Sequence, residues 1–158
     1  NIHCEITNPI IFRKYNMPYY EKRVRQLHAY GKILYIHIDG CMRTLLPLLK
    51  EMEFDAIQGF APKPQGDFTI AELREAVDGK MALWGGIPAN ILCSEFSDEY
   101  VEKFVLETLK AISPGDRFIF GIGDMLPPNG YIHRVKLIEK LLEKHGHYPI
   151  DPGSLRIM

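Results

Sequence analysis

Four short apolar runs, each followed by a stretch with helical spacing, set the tightest limit on how this chain can fold. They are Lys32–Ile38, Phe54–Phe60, Lys80–Trp84 and Arg117–Gly123, rich in β-branched and aromatic residues and bounded or closed by glycine. Strands that alternate with helices predict a parallel sheet with right-handed crossovers.

The intervening helices carry their own start and stop signals. Leu45, Leu48, Leu49 and Met52 recur at helical spacing over 42–52, and Pro47 predicts that this helix starts or bends near it. Thr69 and Glu72 have the spacing of a capping box, and Asp78-Gly79 ends that helix. Ser97 caps the next, with Asp98 and Glu99 suited to the positive end of its dipole and Val101, Phe104, Val105, Leu109 and Ile112 as its buried stripe. Ser113-Pro114-Gly115 stops it, and a last helix runs over 131–144. Ahead of the first run lies a helical stretch over 9–30, with Asn8 as N-cap and Pro9 at the first position, expected to break near Pro18. The reading is therefore one helix, then four βα units.

Four parallel strands do not close a barrel, because eight strands take about 250 residues. The chain of 158 residues is read as one domain over 1–158, either an open sheet or half of a barrel. It does not begin with Met, so a fragment of something longer is expected. Basic and acidic residues number 19 and 20, which leaves no positive field to collect phosphates and excludes a nucleic-acid partner. No apolar run approaches the roughly 18–20 residues that span a bilayer, so no membrane partner is expected. Three unevenly spaced cysteines, Cys4, Cys41 and Cys93, argue against a disulfide framework and for a reducing cytoplasm.

In such architectures functional groups gather where strands end and helices begin. His37 and Asp39 are two apart on a strand and so share a face, where imidazole and carboxylate can both ligate a divalent ion. Asp124, just past the last strand, offers a third ligand. The blander reading, a core imidazole bonded to Asp39 and a helix cap at Asp124, stays open. Gln58, Trp84, Gly85, Gly86 and Gly123 stand at the other strand ends as ligand-binding candidates. Trp84 offers a ring to stack, and the glycines offer close approach to backbone. The Gly121-x-Gly123 pair lacks the third glycine of a dinucleotide fingerprint.

The succession His37-Ile38-Asp39-Gly40, Leu45–Glu51, Asp55-Ala56-Ile57, Lys80–Pro88 and Gly121–Pro128 resembles the C-terminal half of the uroporphyrinogen decarboxylase superfamily. Asn8–Phe12 with Pro18-Tyr19-Tyr20 resembles the helix preceding that half. The resemblance implies an α/β fold, the C-terminal half of a (β/α)8 TIM barrel. It is closer to the cobamide-dependent methyltransferases, whose strand end reads His-x-Cys-Gly with a further Cys at the last strand, together holding a zinc. His37 matches that His, while Asp39 and Asp124 stand where the family has thiolates, which trades soft ligands for hard ones. The resemblance implies metal-dependent methyl transfer with His37 and Asp39 catalytic, His37, Asp39 and Asp124 on a divalent metal such as zinc, and a methylated corrinoid delivered by a separate protein. Two alternatives stand beside it: a carboxy-lyase acting on a tetrapyrrole or related acid, and a non-catalytic half-barrel that only binds. Exposed strand edges and the apolar inner face of a half-barrel imply a partner, either the missing N-terminal half or a second copy.

Overall fold

Parallel pairing orders the strands as they occur along the chain: β1 (Ile2–His3), β2 (Tyr35–Asp39), β3 (Ala56–Phe60), β4 (Ala82–Ile87) and β5 (Phe118–Ile122). The computed structural model describes residues 2–3 and 7–155, the side chains of 2–3 excepted, so Cys4 lies outside the described residues. The two-residue β1, which pairs Ile2 with Ile38 and His3 with Asp39, extends the four strands read from the sequence by one.

Helix α1 (Pro9–Ile11) begins on the expected Asn8 cap, whose Oδ1 accepts from the amides of Ile10 and Ile11. The expected break near Pro18 does not occur. A π-turn over Phe12–Asn16 widens the chain just before the proline, Met17 N–H reaches Phe12 O, and α2 (Met17–Ala29) continues with Pro18 in its first turn. The π-turn accommodates the proline, which has no N–H to offer the turn before it. The helix expected over 42–52 shrinks to α3 (Leu46–Leu49). Its apolar residues are buried as their spacing predicts, and the turn ahead of it is capped by Asp67, whose Oδ1 accepts from the amides of Met42 at 2.7 Å and Arg43 at 3.0 Å. Helix α4 (Ile70–Val77) starts on the complete Thr69–Glu72 capping box. Helix α5 (Asp98–Ile112) starts on Ser97, whose Oγ accepts from Tyr100 N–H, and α6 (Ile132–His145) closes the series. Successive helices pack α3 on α4, α4 on α5 and α5 on α6.

Register explains why one face of the sheet is the core. Ile36, Ile57, Leu83 and Phe118 are paired across β2 to β5 and are all buried. Each such side chain contributes about 1.5–3 kcal/mol by leaving water. The next row, His37, Gln58, Trp84 and Ile119, points the other way, as strand alternation requires. That inner face is open: Tyr35 is 52% exposed, Trp84 41% and Ile119 53%. The sheet is therefore a wall with helices on one side and a bare interior on the other.

Candidate functional site

The inner row departs from regular pairing at β3. Gln58 pairs with Trp84 and Phe60 with Gly85, so Gly59 is an extra residue, a β-bulge. The bulge has two consequences. It turns Phe60 to the helix side, where its ring meets Phe118 edge-on at 5.9 Å and is buried. It also sets Gly59 at φ +86°, where a β-carbon would overlap Nδ1 and Cε1 of His37 and lie 3.1 Å from the carbonyl oxygen of Gly123. The imidazole of His37 thus lies directly on the glycine backbone.

Beside it, Gln58 Oε1 is 2.7 Å from His37 Nδ1. An amide oxygen only accepts, so in this contact Nδ1 is the donor. The exit of β5 closes on the exit of β3: Gly123 N–H donates to Ile87 O at 2.8 Å, and a β-carbon on Gly123 would stand 2.7 Å from Phe60 O.

Asp39 is half-buried at the end of β2, while Asp124 is exposed, one residue past the buried Gly123. The backbone of Gly123, just past β5, reaches the bulge. Among the described residues no three His, Cys, Asp or Glu side chains are gathered closely enough to hold a metal ion. His37, Asp39 and Asp124 as placed do not fit a three-ligand site. The polar partner His37 does have is Gln58.

The other ligand-binding candidates divide. Trp84 remains open on the inner face, 6.0 Å from the Tyr35 ring. Gly85, Gly86 and Gly123 are instead closed in, by Phe60 and Phe118, so their smallness serves contact between neighbouring strands.

The loops around this rim are fastened one to the next. Arg43, after β2, donates to Asp67 O and to both oxygens of Glu72, at 2.6 and 3.0 Å. Those bonds, with the capping contacts from Thr69, hold the Glu72 carboxyl down at about 2. Gln65, after β3, accepts from Asn90 N–H at 3.2 Å after β4. Arg134, only 5% exposed on α6, reaches back to the β4–α5 loop, donating to Phe96 O at 2.6 Å, Ile91 O at 3.2 Å, Cys93 O and Asp98 Oδ1. The same guanidinium, together with His133, keeps the Asp98 carboxyl below its usual range. His133 is a second side-chain partner of Asp98.

The sequence reading passed over Gly59, Arg43, Asp67 and Arg134. For Gly59 a signal existed, since an isolated glycine inside a strand pattern marks a bulge or a close approach. For Arg134 none did, because the groups it binds lie 36 to 43 residues away.

A profile of the uroporphyrinogen decarboxylase (URO-D) family matches residues 2–145. Comparison with curated protein sequences gives no match. Among solved structures, a methyltransferase from Methanosarcina mazei superposes with a TM-score of 0.72 at 14% identity, over 92% of this chain and 40% of that one. The chain thus spans 40% of the length of that methyltransferase, and its likeness to that protein is one of fold, an α/β half-barrel. Among the described residues no helix is long and apolar enough to cross a membrane.

Proposed function

The chain belongs to the uroporphyrinogen decarboxylase family, and from that premise we propose that it forms the acceptor side of a methyltransferase, with His37 and Asp39 at the working rim. The observation that carries the reading is the seat of His37, an imidazole fixed in orientation by Gly59 and Gln58 near the carboxyl end of a parallel strand. Catalytic groups gather at that end of barrel strands, and groups locked in place beforehand lower the cost of positioning a reactant. A methyltransferase shares this fold, which supports the methyl-transfer reading.

A methylated corrinoid on a separate protein would be the donor, and the chemistry falls to the chain's own residues. His37 meets the acceptor through its free nitrogen, and Asp39, on the same strand face, orients it. Among the described residues no ion has an assembled seat. The bare inner face requires a cover. With five strands here, three further βα units complete an eight-stranded barrel, whereas a second copy would bring ten strands. The remaining part of a single barrel is therefore the better fit as partner.

The test is loss of the methyl group from methylcobalamin, followed spectroscopically with thiol and amine acceptors, in a protein that contains this chain and its remaining barrel. His37→Ala should abolish it. Release of carbon dioxide from uroporphyrinogen without methyl transfer would favour the carboxy-lyase reading, and neither reaction would favour a non-catalytic module.

A further inference from the structure

The geometry points to Gln58 as a positioning residue that holds His37 in a single tautomer, rather than as a contact to the ligand. This inference deepens the functional reading and rests on the β2 rim being the working site.

Three observations converge on it. Gln58 and His37 are register partners on adjacent strands, so their side chains leave the same face side by side. The amide oxygen of Gln58 stands 2.7 Å from Nδ1, a good length for a donated imidazole N–H. The ring cannot slide away toward β3, because Gly59 already lies against its Nδ1–Cε1 edge. A histidine free in water interconverts between its two neutral forms and mostly keeps the proton on Nε2. Here the hydrogen bond to Gln58 selects the other form, which leaves Nε2 as the one nitrogen with a lone pair. That nitrogen forms no hydrogen bond with the described residues and is not among the buried atoms lacking a partner, so it stays open to solvent. A ring held by its second nitrogen offers its first in a fixed direction; around metal-bound histidines, loss of such an outer partner typically costs about 10–100-fold.

The experiment is nitrogen-resolved NMR of the His37 ring, at a pH where the ring is neutral, in wild type and in Gln58→Leu, Gln58→Met and Gln58→Glu. Wild type should show the proton on Nδ1 and a pyridine-type Nε2. Both apolar variants should let the Nε2–H form dominate. The glutamate variant, which still offers an acceptor oxygen, should restore the Nδ1–H form. In the methylcobalamin assay the apolar variants should lose roughly tenfold or more, with the glutamate variant recovering most of the rate. A wild-type ring protonated on Nε2, or a tautomer unchanged in both apolar variants, overturns the inference. If methyl transfer fails altogether in the wild type while the ring behaves as described, the functional reading falls and the tautomer assignment stands.

Discussion

His37 and Gly59 share one volume: the imidazole lies where the β-carbon of any other residue 59 would be. Gly59→Ala is therefore expected to act twice. It puts a side chain at φ +86°, a left-handed conformation that costs an L-residue about 1–2 kcal/mol, and it pushes the ring off Gln58. Denaturant unfolding should report the first effect, and a loss of activity of roughly tenfold or more the second. An alanine variant with wild-type stability and an undisturbed ring would contradict the close approach.

Arg43 and Glu72 should make the rim sensitive to acid. The Glu72 carboxyl stands at about 2 in the folded chain against an ordinary 4.5. Its value is depressed, so its contribution is complete above 4.5 and drains away as pH falls toward about 2. Urea midpoints of wild type and Glu72→Gln should differ at neutral pH and converge across that window. A constant gap over the same range would show that Glu72 is not the titrating partner.

Arg134 should be costly to remove, although it lies outside the inner face. Arg134→Met strips donors from the carbonyls of Ile91, Cys93 and Phe96; Cys93 O keeps the Phe96 N–H, and a buried acceptor left unpaired costs about 1–3 kcal/mol. Arg134→Lys should rescue little, since one ammonium cannot span the same fork of acceptors. Thermal unfolding measures both. A lysine variant as stable as wild type would refute the clasp.

Trp84 is the chain's single tryptophan and lies 41% exposed on the inner face. At high dilution the isolated chain should emit as a water-exposed indole that acrylamide quenches readily. As concentration rises, sedimentation should show association through this apolar face, with the emission moving to the blue in step. Ile119→Lys should suppress both changes. A species that stays monomeric with unchanged emission at all concentrations would mean that the face needs no cover.

How far the sequence carried can be seen element by element. The Thr69–Glu72 box and the Ser97 cap formed as read because capping is settled within one turn, between groups three residues apart. The 42–52 helix shortened to Leu46–Leu49, and the amides of Met42 and Arg43 ahead of it are capped by Asp67, 24 to 25 residues away, a partner that no local pattern displays. His37 and Asp39 fell on the same strand as expected, since alternation is a property of the strand alone. The gathering of Asp124 with them was another kind of claim, resting on how two distant strand exits meet.

The order of residues in itself determined the alternation of strands and helices, the helix caps and the polar pair at the end of β2. These follow from propensity, from periodicity and from hydrogen bonds that close within a few residues. The tertiary structure alone decided that β3 bulges at Gly59, that Gln58 partners His37, and that the Gly123 backbone closes on the bulge. Each of these depends on the register of neighbouring strands and on whether a β-carbon is present where two chains cross. Such distances are set by packing across the whole sheet, which spacing along one strand does not encode.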